Sequence, residues 1–308
     1  MNPTTSDVHM DAALTNLSIK YKNAAFVGES LFTVIPVKKD SDKYFIYGKQ
    51  DFLLADTLRA PGTRAKQVEY KITASSAYSL KEHSLEGQII DEVRDNADEP
   101  LNYEADTVEE VTDRLKLNLE YQLAAIATNP DNYASGHYGT PSPTWDDPSS
   151  DLIDDIDTAK ELIRSKIALM PNTLLVSAKV HKVIKRHPQL LNIFKYTRGG
   201  VITIDMIKEA LEVENYIVAG GIYNAANEEQ TESLTDIWGR NAILAFVNPR
   251  PGLRQLSFAY LFRKQGYPLV ERWRENALRC DWIRVNDKYD TAIVANTAAY
   301  LFQNPVSA

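Results

Sequence analysis

Apolar residues recur along this chain with two different periods. From Thr107 to about Thr128, Val108, Val111, Leu115, Leu119 and Ile126 return at steps of three and four or their sums. That spacing predicts a helix of about 22 residues, roughly 33 Å long. Thr107 with Glu110 fits a capping box at its start, and Asn129-Pro130 ends it. Earlier, Val68, Tyr70 and Ile72 alternate with Gln67, Glu69 and Lys71, and the alternation weakens through Tyr78 and Leu80. Period two predicts a two-sided strand. Tyr44-Phe45-Ile46-Tyr47 is a second β-prone run, and between the two lies a Pro-Gly turn, Arg59-Ala60-Pro61-Gly62-Thr63-Arg64-Ala65-Lys66. Together they read as a long hairpin with a basic tip, about ten residues and roughly 33 Å per arm. A globule of this length has a radius of gyration of only about 19 Å, so such a hairpin projects. Two strands alone are marginal in water, so it needs something to lie on, and another copy of the chain is a candidate.

The remaining elements follow in order. The first 25 residues are polar and weakly patterned, an extended arm with a short helix at most (Met10 to Leu17). Ala25 to Val37 reads as a strand or short helix entering the body. Residues 130–150 are rich in Pro, Gly, Ser and Asn and read as a loop, followed by a helix from about Leu152 to Leu169. Thr173 to Val176 reads as a strand, Ser177 as the cap of a helix to about Arg186, and Met206 to Val213 as a helix capped near Asp205. Tyr216–Ala219, Asn241–Val247, Leu256–Phe262, Trp282–Val285 and Thr291–Leu301 read as strands. Helices and strands mixed in this way indicate an α+β chain without internal repeats.

Composition narrows the function. The chain has 308 residues, 44% apolar and 25% charged, which is ordinary for a folded protein with a sizeable core. No apolar run approaches the roughly 18 residues of a membrane helix. With one cysteine, Cys280, no disulfide can form within the chain. There are 34 basic and 42 acidic residues, a net charge of −8, which disfavours general nucleic-acid binding. No phosphate-cradling glycine motif, HExxH, GxSxG or EF-hand pattern occurs. Gly136-His137-Tyr138-Gly139 matches GxxG but sits in the Pro/Ser/Gly-rich stretch and reads as a surface loop. The five histidines lack zinc spacing. Cys280 reads as a buried small hydrophobe. The acidic run Asp146, Asp147, Asp151, Asp154, Asp155 and Asp157 could hold calcium through oxygen ligands, but it more simply opens the helix that follows it. No catalytic constellation is present, and neither a cofactor nor a catalytic residue is expected.

The order of parts then acquires a meaning. Several stretches, "FTVIPVKKDSDKYFIY", "RAPGTRAKQVEY", "DEVRDNADEPLN", "VTDRLKLNLEYQLA", "PNTLLVSAKVHKVIKRHP" and "DKYDTAIVANTAAYLFQN", occur in an order that resembles the major capsid proteins of tailed bacteriophages. The resemblance covers most of the chain beyond about residue 25 and implies the Hong Kong 97-type fold. It implies an N-terminal arm (1–43), an extended E-loop (44–90), a P-domain (91–170) with a spine helix (107–128), an A-domain (171–279) and C-terminal P-domain strands (280–308). It further implies hexamers and pentamers closing into an icosahedral head shell around DNA, assembled in the host cytoplasm. The chain itself would be the first partner, with a separate scaffolding protein, a portal and decoration proteins as others; DNA would be enclosed without specific binding, and no membrane is involved. A start almost directly at the arm would leave scaffolding to a separate protein or to a segment already cleaved. The basic tip, Arg59, Arg64 and Lys66, is expected to lie over a neighbour's acidic Glu109, Glu110 or Asp113. Three rivals remain: an encapsulin shell, which would bind cargo peptides; a soluble α+β enzyme, which would stay a small particle under all conditions; and another virion component, such as a minor capsid or tail protein.

Overall fold

The structure, a computed structural model, describes residues 26–47, 57–59, 64, 72–96, 103–195, 202–226, 230–250 and 255–307. The arm before residue 26 and Lys66 lie outside the described residues. A short helix α1 (Gly28–Leu31) leads into β1 (Phe32–Val37) and β2 (Ser41–Tyr47); β3 (Ile72–Ser79) runs into β4 (Lys81–Ile90). Helix α2 (Asp91–Asp95), the long α3 (Tyr103–Ala127), β5 (Tyr138–Gly139) and α4 (Leu152–Ile167) follow. Next come β6 (Thr173–Ser177), α5 (Ala178–Ile184), α6 (Pro188–Phe194), α7 (Ile204–Ala210) and β7 (Asn215–Ala219). The strands β8 (Ile222–Asn224), β9 (Leu234–Asp236), β10 (Ala242–Ala245), β11 (Ala259–Lys264), β12 (Leu269–Glu275), β13 (Cys280–Ile293) and β14 (Ala299–Phe302) complete the chain.

Two five-stranded sheets organise the molecule. In the first, β13 is the shared ladder: its opening residues pair with β4 and β12, and its last five with β11, which pairs in parallel with β1. The second has the order β5-β14-β10-β6-β7. Its β6 and β10 are buried at every position, as central strands covered on both faces must be. The parallel β6 and β7 are joined by the crossover α5–α7. The segment expected as one axial domain, 171–279, is thus shared between sheets: β6, β7 and β10 belong to the second, β11 and β12 to the first. The last strand, β14, leaves the first sheet after a five-residue connection (294–298) from the end of β13 and joins the second.

Helix α3 spans both sheets. Its upper residues Val111 and Leu115 pack on Val285 of β13. Its lower residues Leu119, Leu123, Ala124 and Ala127 enter the main core with α4, β6, β10 and β14. At the junction sits Glu120, 2% exposed. It accepts from the backbone N–H of Val27 (3.0 Å) and Gly28 (2.8 Å) and from Trp238 Nε1 (2.7 Å). The amides at the start of α1 have no side-chain cap of their own, and this carboxylate takes that place. Two glycines permit the close approaches. A Cβ on Gly28 would stand 2.7 Å from Leu123 Cδ1, and one on Gly87 of β4 would stand 2.4 Å from Thr107 Cγ2.

Several sequence expectations change. Helix α3 begins at Tyr103, so Thr107 is interior and its hydroxyl donates back to the Tyr103 carbonyl at 2.7 Å; there is no capping box at Thr107. Helix α7 is capped by Thr203, whose Oγ1 accepts from Met206 N, and not by Asp205. Pro188 opens α6 as its first residue, where its missing N–H costs nothing. The two strands expected at Trp282–Val285 and Thr291–Leu301 are β13, continuous through Asn286 to Asp290, and the separate β14. Gly136-His137-Tyr138-Gly139 is no surface loop: His137 is buried with Nδ1 3.1 Å from Ala299 O, and Tyr138 and Gly139 pair with β14. The Ser177 cap is present, accepting from Val180 N.

Two substitutions test this packing. Glu120→Ala leaves three donors, two of them buried, without this acceptor and lowers the unfolding free energy of the unassembled subunit by roughly 2–4 kcal/mol in a urea titration. Gly87→Ala forces the sheet off α3 and costs about 1–3 kcal/mol. Adding Thr107→Ser, which removes the obstructing methyl, recovers most of that loss.

Candidate assembly surface

Among the described residues, strands β2 and β3 pair only with each other, Ser41 opposite Ser79 and Tyr47 opposite Ile72. Their root is fixed to the body from several sides. Tyr78 stacks on Phe262 of β11 with ring centroids 4.7 Å apart, and Tyr44 lies 5.4 Å from the same ring. Leu80 N donates to Asp40 O (2.8 Å), and Ser79 N to Asp290 Oδ2 (2.8 Å). Asp40 binds Lys264 Nζ of β11 at 2.6 Å and Lys288 Nζ of β13 at 3.0 Å. The Lys264 hydrogen bond, then that of Lys288, holds the Asp40 carboxyl below the usual carboxylate range. In the segment that connects β2 and β3, the described Leu58, Arg59 and Arg64 are exposed, and Leu58 is 84% so. The described strands form a firmly rooted hairpin.

The far end of the first sheet carries a dense charge network. Arg272 of β12 donates to both oxygens of Glu104, each at 2.9 Å, and to Asp281 Oδ2 at 2.9 Å. Arg274 holds both oxygens of Asp91 at 2.6 Å. Arg94 reaches Asp281 at 3.1 Å and Asp91 at 3.0 Å. These paired guanidiniums tie α2, the start of α3, β12 and β13 together. The Arg274 hydrogen bond lowers the Asp91 pKa, and that of Arg272 lowers the Asp281 pKa. Deeper in the sheet Arg263 bridges Glu29 (2.8 Å) and Asp287 (3.1 Å); burial pushes the Asp287 carboxyl up while Arg263 holds it down.

The residues expected as the tip's recipients lie on α3. Glu109 and Glu110 are exposed and Asp113 half-buried, all in its first half. Glu110 also holds Arg114 of its own helix at 2.6 Å. Within one chain the described tip residues make no contact with them; Lys66 lies outside the described residues. The acidic run at 146–157 is engaged locally. Asp151 caps α4 by accepting from Asp154 N (3.1 Å), and Asp155 accepts from Trp145 Nε1 (2.8 Å). Asp146 accepts from the Ser307 hydroxyl and amide, which brings its pKa to about 2. Among the described residues no three His, Cys, Asp or Glu side chains gather as a metal site. His181 lies 2.9 Å from Tyr216 OH and His187 3.0 Å from Ser150 Oγ, and burial lowers both pKa values, so both are neutral packing residues. Sequence reasoning missed Asp40, Arg272 and Arg274; nothing local marks them, since each finds its partner far along the chain.

Comparison with known proteins matches this arrangement closely. No family model matches the chain. The major capsid protein of Burkholderia phage BcepMu is 35% identical over 299 residues, covering 95% of both chains. A crystal structure of a phage-related protein from Bordetella bronchiseptica RB50 superposes with a TM-score of 0.74 at 33% identity, covering 96% of this chain and 97% of that one. The mature capsid of bacteriophage PhiM1 (TM-score 0.58, 11% identity, 93% and 88% covered) and the SrpI encapsulin of Synechococcus elongatus PCC 7942 (0.53, 13%, 96% and 95%) share the fold.

The carboxylates with lowered pKa set an acid limit. Their contribution is complete above the ordinary carboxylate range, near pH 4, and is lost as pH falls through the lower folded-state values. The melting temperature of the unassembled subunit therefore falls between pH 4 and pH 2, and Asp40→Asn with Asp281→Asn flattens that fall.

Proposed function

This chain belongs to the major capsid proteins of bacteriophages, and from that premise we propose how its parts assemble the head shell. The fold is the Hong Kong 97-type α+β fold, and the protein is a structural component of the virion capsid. In our reading, copies close into hexamers and pentamers, and these into an icosahedral shell around the genome. The role is structural rather than catalytic. A scaffolding protein, a portal and decoration proteins are the further partners we propose. Many modest contacts repeated around a closed lattice suffice, because each contact made raises the effective concentration for the next. A net charge of −8 per copy lets the shell enclose DNA without gripping it.

The observation that supports this reading is the hairpin rooted on β11 and β13, with Leu58, Arg59 and Arg64 of its connecting segment exposed. We assign residues 1–43 to the arm, 44–90 to the E-loop, 91–170 and 280–308 to the P-domain and 171–279 to the A-domain. The hairpin lies on a neighbouring copy, where Arg59, Arg64 and Lys66 face the acidic first half of that copy's α3, at Glu109, Glu110 and Asp113. Exposed pairs of this kind are worth about 0–1 kcal/mol each, so they set register more than strength.

The test is electron microscopy of the purified protein, alone and with its scaffold. Rings or closed shells are expected from the native chain. The variant Arg59→Glu, Arg64→Glu, Lys66→Glu stays folded by circular dichroism but loses closed shells. Reversing Glu109, Glu110 and Asp113 to Lys in the same chain restores them. Shells of normal yield from the reversed tip alone would refute the pairing.

A further inference from the structure

One buried histidine ties together two segments that are distant in sequence. His187, just before α6, is 2% exposed, and Ser150, 37 residues earlier and just before α4, is 3% exposed. His187 Nδ1 accepts from the Gln189 amide at 3.4 Å and so caps α6. A ring nitrogen that accepts carries no proton, so in the neutral ring the proton sits on Nε2. Nε2 lies 3.0 Å from Ser150 Oγ. That hydroxyl donates its own proton to the Asp147 carbonyl at 2.6 Å, so it accepts from Nε2. Every proton of the relay is thereby assigned: Gln189 N–H to Nδ1, Nε2–H to Ser150 Oγ, and Oγ–H to Asp147 O.

Gln189 extends the tie to α4. Its side-chain oxygen accepts from Ile153 N at 3.3 Å, and its Nε2 donates to Asp151 Oδ1 at 2.7 Å. That same oxygen caps α4 by accepting from Asp154 N. The starts of α4 and α6 therefore share one set of hydrogen bonds, with the His187 ring at its buried end.

We propose that His187 is a proton-operated clasp: neutral, it holds residues 147–151 and the starts of α4 and α6 together; protonated, it lets them part. A second proton on the ring has only Nδ1 to bind, and there it meets the Gln189 N–H, donor against donor. The cap is lost, and Gln189 is no longer held in place for α4. Charged groups on the surrounding elements are Asp147, Asp151 and Asp154 on the approach to α4, Lys185 and Arg186 after α5, and Asp205 and Lys208 on α7, which packs on α6. Burial lowers the His187 pKa, and Asp151 opposes that shift. A histidine of this kind stabilises the fold in full above the ordinary value of about 6.5, and the contribution is lost as pH falls below it toward the folded-state value. The clasp is closed at neutral pH and opens on mild acidification, before the carboxylate bridges fail.

The experiment follows amide hydrogen exchange by mass spectrometry in the full-length unassembled chain, expressed as protection factors so that the intrinsic effect of pH is removed. Between about pH 7.5 and pH 5, protection at 149–154 and at 189–192 falls together by about tenfold or more, while protection of β10 is unchanged. His187→Asn keeps a cap acceptor that does not titrate, and its protection stays constant over this range. His181→Asn leaves the native fall in place. Ser150→Ala cuts the relay, so protection at 149–154 is low at both pH values while 189–192 still responds to acid. Native protection that stays flat, a fall in one segment alone, or an equal fall in folded His187→Asn overturns the clasp. If circular dichroism shows His187→Asn unfolded, Ser150→Ala decides: an acid response at 149–154 that survives this substitution overturns the relay.

Discussion

A single buried carboxylate decides how the two halves of this subunit meet. Glu120 sits in the middle of α3 where the helix passes from one sheet to the other. It collects two amides from the entry of the chain and the indole N–H of Trp238, groups 92, 93 and 118 residues away. An ionised carboxylate costs several kcal/mol to bury without partners, so the site tolerates no arrangement in which these donors are elsewhere. Gly28 makes the same point sterically, since no larger residue fits between α1 and Leu123. The entry of the chain, the long helix and the second sheet are consequently one rigid unit, and the hairpin root inherits its position from it.

That rigidity suits a lattice protein. A hairpin can reach a neighbour with useful accuracy only if its base does not move. Aromatic stacking on Phe262 and the Asp40 bridges fix it to β11 and β13. The arginine–carboxylate network at the opposite end fixes the start of α3 to the same sheet. Each exposed pair contributes little to stability by itself. Their value lies in geometry, because bidentate guanidinium pairs hold orientation as well as distance.

Much of the framework was legible before the fold was known. The four-residue recurrence of Val111, Leu115 and Leu119 marks α3, and Asp151 and Ser177 mark their helix starts, because helix periodicity and capping act over a few residues. Strand β4 was harder to see. Glu82, Ser84, Glu86 and Gln88 are polar on one face, but Lys81 and His83 are polar on the other, so no clean alternation appears. The polar centre of β13 read as a break for a similar reason. Asn286 and Asp287 are buried, yet each is satisfied by Ser84, Glu271 or Arg263 from other strands. Thr107 resembled a cap because a threonine hydroxyl serves a helix start and a helix interior almost equally well.

The sequence by itself determined the inventory: an α+β chain, a long helix and a two-stranded hairpin. Those properties are encoded in residue type and short-range spacing. Tertiary structure decided which sheet each late strand joins, that Glu120 is the junction, and that Trp273 and Trp282 stack across β12 and β13. Each of these depends on hydrogen bonds and packing between residues tens to hundreds of positions apart. Local preference is silent there, because a strand carries no mark of its partner and a glutamate carries no mark of being buried.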